Sequence, residues 1–216
     1  MENKMSLKKN KARAAKIRKI LKTTYPEVKT QLSYKTPFEL LVSTILSAQC
    51  TDKQVNQVTK HLFKQLKTPQ DFVRVPLDTL EQLIKPTGYF RNKAKNIKNC
   101  STALIEKHDS KVPQTLEEMV KLPGVGRKTA NVVLGAAFGI PGIVVDTHVG
   151  RISKRLELTH QKDPVKIEFD LMQIIPQKEW NDFSLQLIYF GRETCKARNP
   201  ACTTCPLNHI CRFHLQ

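Results

Sequence analysis

Residues 122–130 read Leu-Pro-Gly-Val-Gly-Arg-Lys-Thr-Ala, a pattern that predicts a tight turn between two helices. The Pro-Gly-Val-Gly segment at 123–126 breaks a helical pattern, and a new helical pattern starts at Arg127. Successive backbone N–H groups in so tight a turn can point at one anion, and the positive end of the second helix strengthens that attraction. The predicted phosphate contacts are Gly124, Val125, Gly126 and Arg127.

A nucleotide-binding phosphate loop is the alternative interpretation of the same glycines. Such a loop needs Gly, Lys and Thr in direct succession, another Gly five residues earlier, and a preceding strand. Here Arg127 stands between Gly126 and Lys128, and no strand pattern comes before the turn. The hairpin is therefore better matched to a backbone phosphate of DNA than to a nucleotide.

Helical spacing of apolar residues recurs along the chain, whereas strand alternation is nearly absent. Thr36-Pro37 marks a helix start before an apolar stripe that ends at Leu46, and Thr115 with Glu118 forms a predicted capping box. The other predicted helices lie at 11–24, 51–66, 92–107 and 127–138, and begin near Asp146, Asp163 and Glu179. The sequence predicts an all-α protein, with an extended segment at 140–145 and a boundary between two helical lobes at 139–142.

The charge balance is strongly basic, with 36 Lys and Arg against 19 Asp and Glu and a formal net charge of +17. Such an excess favours polyanions or anionic membrane surfaces, although solvated lysines explain it equally well. No apolar stretch is long enough to span a bilayer, and the N-terminus lacks the apolar core of a signal peptide. We therefore expect a cytoplasmic protein with no membrane partner.

Four of the six cysteines crowd the C-terminus with the spacing C-x6-C-x2-C-x5-C; they are Cys195, Cys202, Cys205 and Cys211. Disulfides are disfavoured in a reducing compartment. A four-thiolate zinc site stays open, but structural zinc sites usually pair two short Cys knuckles, and only one is present. The spacing favours an iron–sulfur cluster. Cys50 and Cys100 lie on helical patterns and are expected in the core.

The span between the first two of these cysteines contains Lys196 and Arg198. A loop held at both ends by one cluster directs these cations outward, where they can contact DNA phosphates. The alternative is that they are two more solvated charges.

Lys128 lies on the first turn of the helix after the hairpin, and Asp146 follows eighteen residues later at the start of the next long helix. Taken singly, the lysine is a solvated side chain and the aspartate is an N-cap. Together, beside a hairpin that binds DNA, they form a nucleophile and carboxylate pair.

Three motifs in this order, Leu122–Ala130, Val144–His148 and the four cysteines, resemble the endonuclease III family of helix-hairpin-helix DNA glycosylases with apurinic/apyrimidinic (AP) lyase activity. The resemblance covers about Tyr25 to Cys211. It implies a [4Fe–4S] cluster on the four cysteines and two helical lobes with a DNA-binding groove between them. The lobes are a six-helix barrel at 30–140, and a cluster domain formed by 1–29 and 141–216.

The resemblance also implies roles for single residues. Gln49 fills the space that a flipped nucleotide leaves, and Tyr89, or its neighbour Phe90, is the wedge. Lys128 attacks the sugar C1′, and the Schiff base that forms allows strand cleavage by β-elimination. Asp146 accepts the lysine proton or stabilises positive charge on the sugar.

The implied function is base-excision repair by a monomer that removes oxidised pyrimidines from double-stranded DNA and cleaves abasic sites. Two alternatives stay open. One is a monofunctional mismatch glycosylase, although such relatives lack the lysine. The other is a non-catalytic DNA-binding protein that recognises damage.

We predict that affinity for DNA falls steeply with salt, because each neutralised phosphate releases counterions. Replacing Lys196 and Arg198 by Ala should make the slope of log K against log [salt] shallower by about one for each lost contact. Titration of a fluorescent duplex over a salt series measures this. An unchanged slope places both residues off the DNA surface.

Overall fold

The computed structural model describes the backbone of residues 2–214 and the side chains of residues 7–214. Within this range every regular element is helical, so the all-α prediction is confirmed. The helices are α1 Glu2–Thr24, α2 Pro37–Leu46, α3 Asp52–Gln65, α4 Pro69–Arg74, α5 Leu77–Ile84, α6 Phe90–Lys107, α7 Leu116–Met119, α8 Arg127–Phe138, α9 Thr147–Arg155, α10 Pro164–Ile174 and α11 Trp180–Glu193. Single 3-10 turns span Lys85–Thr87, Gln177–Glu179 and Asn208–Ile210. None of the described helices is long and apolar enough to cross a membrane.

Threonine and aspartate side chains cap most of the predicted helix starts, as the sequence pattern requires. Thr36 accepts a hydrogen bond from the N–H of Glu39, and Asp163 accepts one from Lys166. The Thr115 cap forms, but the Glu118 carboxylate accepts from the Thr115 hydroxyl at 2.8 Å instead of from a backbone N–H. The reciprocal capping box occurs at the start of α4, a helix that the sequence pattern does not predict.

The backbone divides into two compact units, of which Thr30–Ile140 is one. Helix α2 lies at its centre and packs against α3, α6 and α8. Every residue from Phe38 to Leu46 is buried, so α2 buries its whole circumference instead of the single stripe expected. Phe38 meets the fully buried ring of Phe72 edge to face, with centroids 5.4 Å apart.

The second unit combines Met1–Lys29 with Pro141–Gln216. Helix α1 packs against α10 and α11, and its buried residues Ile17 and Leu21 join their core. The Arg18 guanidinium pairs with Glu179 through two hydrogen bonds. The Tyr25 hydroxyl donates to Glu193 at 2.9 Å, and burial together with this bond raises the pKa of Tyr25 to about 12. The N-terminal helix is therefore part of a core built by the C-terminal third of the chain.

Two glycines on the packed pair α9 and α11 give a matched test of this core. A Cβ on Gly191 would lie 2.6 Å from Nδ1 and 3.0 Å from Cβ of His148, whereas one on Gly150 meets nothing closer than 3.7 Å. We expect Gly191→Ala to destabilise the protein by about 1–3 kcal/mol through overpacking. Gly150→Ala should be neutral or stabilising by up to about 1 kcal/mol, because alanine favours helices. Urea unfolding measures both, and equal stabilities would contradict the packing described.

Candidate active site and cluster-binding loop

The hairpin is formed by α7, the turn at 120–126 and α8. Gly124 has φ +76°, and a Cβ there would come within 2.7 Å of the Asn96 Cβ on α6. Only glycine satisfies both conditions. The Val125 side chain is buried in the core, while Gly124 and Gly126 are exposed. The turn thus presents backbone to its surroundings and turns its one side chain inward.

Gly126 is the N-cap of α8 and has no side chain with which to cap the helix. The first-turn N–H groups lie at the positive end of the helix dipole, where an anion is stabilised. Arg127 is half-buried and Lys128 is exposed. Ala130, Val133 and Leu134 face the core, and this orientation directs Lys128 to the solvent side of the first turn.

Asp146 begins α9 in the second unit, after a segment at 139–146 with no regular secondary structure. Its Oδ1 accepts a hydrogen bond from the Val149 N–H at 2.8 Å. The aspartate is therefore an N-cap, as one sequence interpretation expects, and its half-buried carboxylate is held in one orientation. Lys128 belongs to the other compact unit.

His148 follows on the first turn of α9 and is half-buried against α11. Burial lowers its pKa, and the nearby Arg151 and Arg192 add to this, while Asp146 opposes it. Nη2 of Arg151 lies 3.2 Å from Nδ1 of the ring. A neutral imidazole can accept this bond from the guanidinium.

The four C-terminal cysteines line a single cavity. All four are free thiols. Burial raises the pKa of Cys205, and negative charge on the other three sulfurs would raise it further. The Leu207 N–H donates to Cys205 Sγ at 3.4 Å, and Nη1 of Arg155 donates to Cys195 Sγ at 3.2 Å. Hydrogen-bond donors therefore already stand beside two of the sulfurs.

These four sulfurs surround a space instead of converging on one point. Among the described residues, no three His, Cys, Asp or Glu side chains are gathered as the ligands of a single metal ion. A tetrahedral zinc site needs such convergence, since each Zn–S bond is about 2.3 Å long. In a cubane each thiolate binds a different iron, so a cavity lined by four separated thiols fits a [4Fe–4S] cluster.

The loop between the first two cysteines is tied down by arginines from α9. Arg155 donates to the carbonyls of Lys196 and Ala197 at 2.8 and 3.1 Å, and Arg151 donates to that of Cys195 at 2.8 Å. The side chains of Lys196 and Arg198 are exposed. Neither arginine was predicted from the sequence, where their only signal is the i, i+4 spacing that places them on one helix face.

Gln49 and Tyr89 lie in loops of the first unit, and both have left-handed backbones, with φ +52° and +48°. Gln49 is exposed, and Tyr89 is 65% exposed. Phe90 is partly buried and packs against the core. Of the two aromatic side chains considered for the wedge, Tyr89 is the one that points outward.

Comparisons with known proteins add independent findings. Residues 42–177 match the HhH-GPD superfamily of base excision DNA repair proteins, and residues 195–211 match the iron–sulfur binding domain of endonuclease III. The chain is 52% identical over 202 residues to endonuclease III of Synechocystis, covering 93% of this chain and 92% of that protein. It is 51% identical to endonuclease III of Bacillus subtilis, covering 87% and 86%.

Two solved structures are also similar. A non-covalent endonuclease III–DNA complex superimposes with a TM-score of 0.92 at 47% identity, covering 95% of this chain and 96% of that chain. A trapped endonuclease III–DNA covalent intermediate gives a TM-score of 0.89 at 48% identity, covering 93% and 96%.

We predict that Cys205→Ala abolishes the brown colour and iron content of anaerobically purified protein and lowers its melting temperature. Cys100→Ala is the matched control, because Cys100 lies in the core of the first unit, where burial raises its pKa to about 12 and disfavours the thiolate that binds iron. It should lose stability but keep its iron. Iron analysis and visible absorption measure the difference. Stoichiometric zinc without iron, or full iron in Cys205→Ala, would overturn the prediction.

Proposed function

Because this chain belongs to the endonuclease III family of base-excision repair DNA glycosylases and AP lyases, we propose that it removes oxidised pyrimidines from double-stranded DNA and cleaves the resulting abasic sites. The proposal rests on the position of Lys128, an exposed lysine that is the second residue of α8, the helix that follows directly after the glycine turn. The similar structure of a trapped covalent intermediate supports a covalent mechanism.

In the proposed reaction the neutral Lys128 amine attacks the sugar C1′. The new N–C1′ bond replaces the glycosidic bond, and the base leaves with the bonding electron pair. Opening of the sugar ring converts the adduct to a protonated Schiff base, which makes a C2′ proton acidic. Loss of that proton expels the 3′ phosphate, so one lysine accounts for base removal and strand cleavage.

Asp146 is proposed to take the proton from the Lys128 ammonium or to stabilise positive charge that develops on the sugar. Its cap bond to Val149 occupies one carboxylate oxygen and orients the group. A carboxylate held in advance stabilises charge without reorganising during the reaction.

Recognition of the damaged site is proposed to combine two kinds of contact. The turn at 124–126 binds a backbone phosphate through N–H groups, and Arg127, Lys196 and Arg198 contribute cationic contacts. Gln49 occupies the vacancy of the flipped nucleotide, and Tyr89 wedges the duplex open. The exposure of the last two side chains supports this assignment.

The protein carries a [4Fe–4S] cluster, and we propose Cys195, Cys202, Cys205 and Cys211 as its ligands. When bound, the cluster crosslinks the C-terminal loop. The chain's own contribution is the pair Arg151 and Arg155, which hold the carbonyls of that loop.

We further propose that the protein works as a monomer in the bacterial cytoplasm, on the DNA of the nucleoid, as its curated relatives are bacterial.

Borohydride trapping on abasic DNA tests the nucleophile. Wild-type protein should form a covalent adduct, and Lys128→Ala should reduce the trapping and nicking rates by on the order of 10³-fold or more. Lys121→Ala is the matched control, since Lys121 is an exposed lysine on the other side of the same hairpin. An adduct that persists in Lys128→Ala would refute the assignment.

A panel of lesion duplexes separates this function from its alternatives. Excision of oxidised pyrimidines coupled to strand nicking supports the proposal. Base release without nicking indicates a monofunctional mismatch glycosylase. Tight binding with neither product from cluster-loaded protein indicates a non-catalytic recognition protein.

A further inference from the structure

Lys93 on α6 is a buried cation in the first unit. Only 4% of it is exposed, and its Nζ donates to the carbonyls of Leu46 at 2.8 Å and Thr87 at 2.7 Å. Burial lowers the pKa of Lys93. Because removing an ammonium from water is costly, these two bonds have to compensate for the lost hydration.

Both carbonyls belong to the last residue of a helical segment. Leu46 ends α2, and Thr87 ends the 3-10 turn Lys85–Thr87. Carbonyls at helix C-termini lack helical partners and carry the negative end of the dipole, so a cation there is favoured. The Lys93 ammonium therefore binds the C-terminal ends of two separate helical segments through one nitrogen atom.

Each of these two helix ends leads directly into a loop with a proposed DNA contact. Gln49 comes three residues after Leu46, and Tyr89 comes two residues after Thr87. The left-handed backbone of these two non-glycine residues is sterically unfavourable. Such conformations persist only where the surrounding structure holds them in place.

We propose that Lys93 is a positioning residue for damage recognition, whose ammonium holds the Gln49 and Tyr89 loops at a fixed separation. A flipped nucleotide interrupts the base stack of the duplex at one position. Two side chains that contact the DNA at that position must keep a fixed distance from each other. Lys93 acts through the backbone, since two of its three donors bind the two carbonyls and its side chain is buried. The inference rests on the DNA roles proposed above for Gln49 and Tyr89.

Lys98 offers a matched control on the same helix. Its Nζ donates to the carbonyls of Phe72, Val73 and Val75 at the C-terminal end of α4. It therefore makes the same kind of helix-end contact as Lys93, but the segment it holds carries none of the proposed DNA contacts.

The experiment compares cluster-loaded wild type, K93M and K98M. Their affinities are measured for a duplex with a tetrahydrofuran abasic analogue and for the same undamaged duplex, and 2-aminopurine fluorescence reports nucleotide flipping. Both variants should lose thermal stability. Only K93M should lose discrimination between the two duplexes, by about tenfold, the factor expected for hydrogen bonds to a charged group, together with slower flipping.

A double-mutant cycle with Tyr89→Ala tests whether Lys93 affects discrimination through the wedge loop. If Lys93 acts through the wedge loop, K93M should reduce discrimination much less in the Y89A background than in wild type. K93Q, which keeps a neutral amide NH2 as a hydrogen-bond donor, should lie between wild type and K93M, and it provides the comparison if K93M does not fold. Unchanged discrimination in folded K93M or K93Q, or equal losses in K93M and K98M, would overturn the proposal. A wild type that neither traps on abasic DNA nor discriminates would instead count against the proposed function.

Discussion

The burial of α2 on all sides is the constraint on which the first unit depends. Since α8 packs directly against α2, the apolar side of α8 faces inward and its first turn is left with Lys128 on the solvent side. Helix α2 ends at Leu46, so the same packing also determines where the Gln49 loop begins. The position of the proposed nucleophile and that of one proposed DNA contact thus follow from one buried helix.

Sequence patterns were sufficient for most of the helices whose structure local chemistry decides. The periodic helices α2, α3, α6 and α8 and the turn at 123–126 could be predicted because apolar spacing, threonine caps and glycine act over a few residues. Helices α4 and α5 were missed, although the threonine cap and proline at the start of α4 and the helical spacing of Leu80 and Ile84 in α5 are local signals of the same kind. Lys93 was missed because a lysine in sequence looks solvated, and only carbonyls distant in the chain show that it is buried.

Two groups of basic residues in this chain have different tasks. Lys93, Lys98, Arg151 and Arg155 donate to backbone carbonyls and stabilise helix ends and loops. Lys128, Lys196 and Arg198 have exposed side chains. The formal net charge of +17 therefore overstates the electrostatic field that a polyanion meets. Some of the cations bind carbonyls within the protein, and the cluster thiolates add negative charge.

The two units differ in how they arise during synthesis. Thr30–Ile140 is continuous in sequence and leaves the ribosome as one piece, whereas the other unit joins Met1–Lys29 to Pro141–Gln216. Helix α1 emerges first, but the surface of α11 that covers Ile17 and Leu21 is made some 160 residues later, a delay of roughly 10–30 s at typical elongation rates. During that interval the apolar face of α1 lacks the α11 surface that covers it in the folded protein.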